Sequence, residues 1–281
     1  MVRDLRRSVE AWRSRRYAAL RRPMSWLSLV GLDWLGEGVN RLGSAPDNDV
    51  QLVAGPAFAG TIALADGVAR ATSAPDGTLR ISGDPVRDLR LVADADTTGE
   101  PPTTLEVDAL RLRLIRRGAD GERLAIRSWN TESRALGSFD GIAHWPVDPA
   151  WAVEARFEPA ALGATIPVPD VIGDLVAMPT PGSVSFEIGG IACRLAAVEG
   201  GDAGELWLIF SDVTSGTLTY GGGRFLYTDP PRADGTLTVD FNRAYNPPCV
   251  FSPFATCPLP PAGNRLIVRI EAGEQDYQVG L

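Results

Sequence analysis

The sequence predicts a mainly β protein: an N-terminal helix, then a β sandwich, then a second antiparallel β sandwich or barrel. Three observations carry this. Apolar residues recur at helical spacing only at the start of the chain, the period changes to two after Pro23, and short strand-like runs bounded by Gly, Asp, Asn or Pro then follow one another. With 281 residues, one large β domain or two ordinary ones could each bury a core.

The helix is predicted over residues 4–22. Val2, Leu5, Val9 and Trp12 form one stripe, arginine fills most other positions, and Pro23 ends the element. This opening segment holds eight arginines against Asp4 and Glu10, so the rest of the chain carries −14 where the whole carries −8. The basic helix is therefore expected to dock by its Trp12 face onto the acidic body, not onto a membrane or nucleic acid. Ser14-Arg15-Arg16-Tyr17 lacks the apolar stretch of an export signal, and the expected setting is cytoplasmic.

The first β series is read as Trp26–Leu32, Gly38–Leu42, Val50–Val53, Thr61–Leu64, Thr78–Ile81, Leu89–Ala93, Leu110–Arg116 and Leu124–Arg127. A second runs through Trp151–Phe157, Val184–Ile188, Ile191–Val198, Leu206–Phe210, Arg224–Tyr227, Leu237–Arg243 and Leu266–Glu271. Trp151, Val153, Ala155 and Phe157 alternate with Glu154 and Arg156, which predicts a half-buried strand; Leu206–Phe210 is apolar on both faces and belongs centrally. Trp145-Pro146-Val147-Asp148-Pro149 suits a stiff link. The expected organisation is a basic helix over 1–23, a sandwich over 24–144 and a C-terminal β domain over 145–281.

Composition narrows the chemistry. All 27 basic residues are arginine and His144 is the one histidine, which excludes Schiff-base lysine, a P-loop lysine and any multi-histidine metal site. No metal and no cofactor is expected. The acidic balance argues against duplex nucleic acid, and no apolar run reaches membrane-spanning length. Three cysteines do not read as a secreted disulfide framework.

The segment Gly38-Val39-Asn40-Arg41-Leu42-Gly43-Ser44, followed by Asp47-Asn48-Asp49-Val50, resembles the opening of a forkhead-associated domain, a β sandwich whose loops read phosphothreonine. Gly43, Asn48 and Asp49 match that pattern. Ser44 stands where the family carries its phosphate-binding arginine, and Pro56-Ala57-Phe58-Ala59-Gly60 lacks the family's next motif. The resemblance implies a similar fold for residues 26–130 and weakens a phosphopeptide role, because serine cannot replace a bidentate guanidinium. Asp47–Asp49 is otherwise a self-bonded turn.

The segment with most chemical content is 237–274. After Leu237–Arg243 comes a 23-residue stretch, 242–264, with six prolines and no helical or strand pattern. Tyr245, Val250, Phe251, Phe254 and Leu259 give it apolar anchors, and proline lowers the entropy cost of order, so it reads as an ordered pocket wall. Asn246-Pro247 and Pro247-Pro248 are candidate cis bonds. Arginine with Asn and Tyr donors suits an anionic ligand, carboxylate or phosphate, and the candidate binding residues are Arg224, Asn242, Arg243, Asn246, Thr256, Asn264 and Arg265. Asp240, Tyr245 and Glu271 are the candidates for acid–base catalysis. The same residues could instead only hold the loop. Cys249 and Cys257 flank seven residues, wrong for a zinc pair, and read as buried thiols, a thiol-based site or a loop-closing disulfide. Cys193 reads as core, and Gly221-Gly222-Gly223 as a bulge or close backbone approach.

The run Asp240-Phe241-Asn242-Arg243-Ala244-Tyr245-Asn246-Pro247-Pro248-Cys249 stands with Ala255-Thr256-Cys257-Pro258-Leu259-Pro260-Pro261 and Glu271-Ala272-Gly273-Glu274. Together they closely resemble the bacterial and archaeal family of domain of unknown function sixteen-eighty-four. Trp26–Leu32, Pro146–Pro149 and Gly222–Tyr227 also look like its pattern, so the likeness is expected over residues 24–274. It brings no activity, substrate or cofactor. The functional expectation is a pocket for an anionic small molecule in the C-terminal β domain, with carboxylate- or tyrosine-based catalysis as an extension. The rival is a protein-interaction scaffold that uses the first sandwich. Whether the chain is an enzyme, and its oligomeric state, stay open at this level.

Overall fold

The computed structural model describes residues 2–95, 99–118, 120–201 and 204–277. The fold is mainly β with an N-terminal helix, α1 (Val2–Leu20). It divides into two compact units, one of residues 20–139 and one that joins the described parts of 1–19 and 140–281.

In the 20–139 unit the strands are β1 (Leu29–Trp34), β2 (Gly38–Gly43), β3 (Val50–Gln51), β4 (Gly60–Ala65), β5 (Val68–Ser73), β6 (Arg80–Ile81), β7 (Asp84–Pro85), β8 (Leu89–Arg90), β9 (Thr104–Val107), β10 (Leu110–Arg117) and β11 (Arg123–Asn130). They form one sheet ordered β1-β11-β10-β9-β6-β7 and another ordered β3-β2-β4-β5-β8. Leu42, Ile62 and Ala71 from the second sheet meet Leu105, Leu112 and Ile126 from the first in a single core. The expected Trp26–Leu32 strand starts only at Leu29, because Ser25 and Ser28 close a turn on each other. At the Asp47–Asp49 turn, Asn48 Nδ2 donates to the carbonyls of Ala45 and Ala57, and Asp49 accepts the Arg41 amide. The polar side chains there hold the loop.

In the other unit, α1 buries Val9 and half-buries Leu5, Trp12, Arg13, Arg16 and Tyr17, the i, i+4, i+7 face of the predicted stripe. The strands are β12 (Ala152–Pro159), β13 (Thr165–Pro169), β14 (Leu175–Pro179), β15 (Gly182–Ile188), β16 (Ile191–Glu199), β17 (Leu206–Phe210), β18 (Arg224–Thr228) and β19 (Thr236–Asp240). The main sheet is ordered β18-β17-β16-β15-β12-β19, and β13–β14 is a separate hairpin. β17 is interior, as its two-sided apolar character requires, and β12 alternates burial around Ala155. Beyond β19 the chain returns to the opposite edge, where Tyr245 and Phe225 exchange both backbone hydrogen bonds at 2.9 Å. That return supplies partners to an otherwise open edge strand and curls the sheet.

Two expected strands change here. Leu237–Arg243 stops at Asp240, whose side chain caps a 3₁₀ turn over Phe241–Arg243, so Asp240 and Asn242 do not share a strand face. Leu266–Glu271 is not a strand, although Leu266, Val268 and Ile270 are buried and alternate with exposed Ile267, Arg269 and Glu271. The 242–264 segment is ordered around short turns at Phe241–Arg243 and Pro248–Val250, and no cis peptide bond occurs among the described residues. Among those residues, no helix is long and apolar enough to cross a membrane.

Candidate functional site

The end of the expected 266–271 strand is held by Arg224, the largest fully buried side chain among the described residues. Its guanidinium donates to the carbonyls of Ile270, Ala272 and Glu274 and, at 2.8 Å, to Asp212 Oδ2. Asp212 Oδ1 accepts the amides of Thr214 and Ile270. Residues 264–268 pair with the backbone of Ser211 and Val213 through a single parallel bridge, and beyond them the carbonyls of Ile270, Ala272 and Glu274 are taken by the arginine, so burial alternates without a regular strand. Burial lowers the Arg224 pKa, opposed by the Asp212 charge and hydrogen bond. With both terminal nitrogens engaged from within and only its buried Nε without a partner among the described residues, the guanidinium is a structural pin.

The other expected binding residues are mostly engaged in the same way. Asn242 is fully buried and clamps the backbone of Asp148, accepting from its amide at 3.0 Å and donating to its carbonyl at 2.9 Å. Asn264 donates to Ala196 O and Ile209 O and accepts from Ala196 N, filling the gap where β16 and β17, paired only at 198–199 with 206–207, diverge. Asn246 donates to Gln275 O. Thr256 is half-buried in the loop. Arg243 reaches Ser8 of α1 at 2.6 Å and lies 3.3 Å from Asp240.

The catalytic candidates are dispersed. Asp240 caps the turn at Asn242. Glu271 is exposed and paired with Arg269 at 2.8 Å. Tyr245 packs between Trp12, Phe225 and Tyr227, with the Arg16 guanidinium 4.5 Å above its ring. Burial pushes the Tyr245 hydroxyl far up. Such a phenol stays protonated and cannot serve as a base at neutral pH.

Around Tyr245 lies a polar cluster that the sequence reading did not assemble. Glu274, whose side chain is 0% exposed, takes a two-pronged contact from Arg16 and the amide of Asn246 at 2.7 Å. Arg16 also reaches Asn246 O, Arg13 reaches Trp145 O, and Tyr17 shares its hydroxyl with Ile142. His144 is buried here, its Nδ1 donating to Ile142 O at 2.7 Å and its Nε2 4.0 Å from Glu274. Burial and the nearby Arg13 lower its pKa. Gly273 makes the close approach possible: its φ is +78°, and a Cβ there would lie 2.3 Å from Ala244 O. The basic face of α1 therefore docks by specific ion pairing as well as by Trp12. The sequence signals were the basic helix with its Trp12 face, the lone histidine within the Gly141–Pro149 link and the Glu271–Glu274 motif, none of which says that Arg16 meets Glu274.

Arg265 differs from Arg224 and Arg243, the other two arginines expected to bind. It is exposed and no group among the described residues pairs its guanidinium. It lines a groove of about 520 Å³ with Asp212, Val213, Gly221, Gly222, Pro260 and Ile267. The groove exists because Gly223, at φ +89°, brings the glycine turn against β17 and the loop: a Cβ there would lie 2.5 Å from Phe210 O and 2.7 Å from Pro260 Cγ. The amides of Gly221 and Gly222 donate to no group among the described residues. Among those residues no three His, Cys, Asp or Glu side chains are grouped to hold a metal.

A model of the family described as "Protein of unknown function (DUF1684)" matches residues 137–275. The chain belongs to that family through this region, which contains the groove, the Arg224 pin and the buried Glu274. The match begins at 137 and not at residue 24, so Trp26–Leu32 falls outside it. An uncharacterized protein of Haloarcula marismortui, solved by NMR, is 32% identical over 51% of this chain and 80% of its own, with a TM-score of 0.42. No curated protein matches.

Proposed function

We propose that the C-terminal β unit binds a small anion in the groove at Arg265. The observation that supports this most is an exposed guanidinium on a concave wall, beside two glycine amides, all without partners among the described residues. Elsewhere in this unit Arg224 and Arg16 are engaged by Asp212, Glu274 and backbone carbonyls, whereas the Arg265 guanidinium has no partner among the described residues. At the groove floor the Asp212 charge is neutralised by Arg224 and two amides, which removes the repulsion an anion would otherwise meet.

The ligand class follows from the rest of the lining. Val213 and Ile267 are 48% and 77% exposed at the rim, so a carboxylate or phosphate carried on an apolar body fits better than a bare ion. Asp240, Tyr245 and Glu271 do not line the groove, so the proposal is binding without an assigned reaction. The scaffold reading of residues 26–130 has less support, because the Ser44 hydroxyl, at the place of a phosphate-reading arginine, donates to Gly55 O. Acidic composition and the odd cysteine count support a cytoplasmic setting.

Thermal stabilisation against a panel of carboxylates and organic phosphates tests the proposal. A ligand that raises the melting temperature of the wild type and of Arg243→Ala, but not of Arg265→Ala, supports it. Equal stabilisation of all three removes Arg265 from the site.

A further inference from the structure

Cys249 and Cys257 are neighbours in space as well as in the loop. The turn Pro248–Val250 carries Cys249, whose amide donates to Cys257 Sγ at 3.1 Å, while its own thiol points to Ala255 O at 3.6 Å. The amide nitrogen is one bond from its Cα and the sulfur two bonds from its own. This contact therefore confines the two Cα atoms to about 7 Å or less, at the edge of the roughly 4.4–6.8 Å that a disulfide spans. Both ends are held in place: Val250 N donates to Pro247 O and Val171 N to Cys257 O. Tyr220 lies beside the pair; its hydroxyl is pushed up first by burial and then by the charges of Cys249 and Cys257.

We infer that Cys249 and Cys257 are a reversible dithiol–disulfide site that exchanges with low-molecular-weight disulfides. Exposure sets the order of events. Cys249 is half-buried and can be reached from solvent, Cys257 is 3% exposed and acts second. The Cys249 thiolate attacks one sulfur of the small disulfide, whose S–S bond breaks and whose first half leaves as a thiol with the proton Cys249 gave up. The Cys257 thiolate then attacks Cys249 Sγ, the mixed bond breaks, and the second half leaves as a thiol. The two protein sulfurs are oxidised and the small disulfide is reduced by two electrons. Cys193, buried in β16 with its thiol pushed up by burial, is an internal control that takes no part. The closed ring carries Phe251, which meets Tyr277 at 5.2 Å and lies 5.8 Å under the Arg16 guanidinium, so the modification falls beside the anchor of α1. This inference does not depend on the Arg265 groove.

Glutathione disulfide is the probe, applied to the folded full-length protein, with alkylation and intact mass as the readout. Alkylatable thiols should fall from three to one, with a Cys249–Cys257 link in the peptide map, and dithiothreitol should restore all three. The bridged form should melt a few degrees higher. Cys257→Ser, or Cys257→Ala if serine is not tolerated at this buried position, should stop at a stable glutathione adduct on Cys249. The inference is overturned if the wild type accumulates that adduct without an internal bridge, or if all three thiols stay alkylatable.

Discussion

Arg224 and Asp212 form an ion pair at 2.8 Å with both side chains excluded from solvent, and that pair organises the C-terminal third of the chain. It holds the backbone at Ile270, Ala272 and Glu274. It also neutralises the floor of the groove that Arg265 overlooks.

Breaking the pair leaves an uncompensated buried charge. Arg224→Met and Asp212→Asn should each cost about 3–5 kcal/mol in urea unfolding, and the loss for the double variant should be well short of the sum. Additive losses would show that the two residues act separately.

The Arg16–Glu274 contact holds α1 to its own unit. Arg16→Ala removes the cation from a carboxylate with no solvent access, so hydrogen exchange should speed up throughout residues 2–20 while β15–β17 keep their protection. Unchanged protection in α1 would mean that Trp12 and Val9 suffice for docking.

Stability should depend on pH through His144. Its pKa is lowered from 6.5 by burial and then by Arg13, so the unfolded chain binds this proton more tightly than the folded one. The contribution is full above pH 6.5 and is lost as pH falls through 6.5 towards the lower folded value. Urea midpoints measured downward from pH 7.5 should fall in that window. His144→Asn, which keeps a donor for Ile142 O, should flatten the curve there.

Much of the fold was legible from periodicity, since period-two burial around Ala155 or Leu237 depends only on local pattern and a buried face. Strand β5 was missed because Val68, Ala69 and Ala71 carry little apolar bulk, and the β13–β14 hairpin because three of its positions are proline. Leu266–Ile270 looked like a strand because burial alternates there, yet only Leu266 and Val268 bond a neighbouring backbone, at Ser211 and Val213, and Ile270 O is met by a side chain 46 residues upstream. For the same reason Arg224 read as a ligand arginine: nothing local to Gly222–Tyr227 announces that Asp212 will meet it. The Arg16–Glu274 contact joins residues 258 apart. Charge segregation did anticipate that the basic helix would dock on the acidic body, but not which acid it would choose.

The central claim, that Arg265 anchors an anion in the groove, is tested most directly by a two-dimensional NMR titration with a medium-chain aliphatic carboxylate. Shift changes should concentrate on the amides of residues 211–215, 221–222 and 265–267 and disappear in Arg265→Ala. That variant should unfold within about 0.5 kcal/mol of the wild type, because the side chain is exposed and unpaired. Shifts centred elsewhere, or unchanged in Arg265→Ala, would contradict the claim.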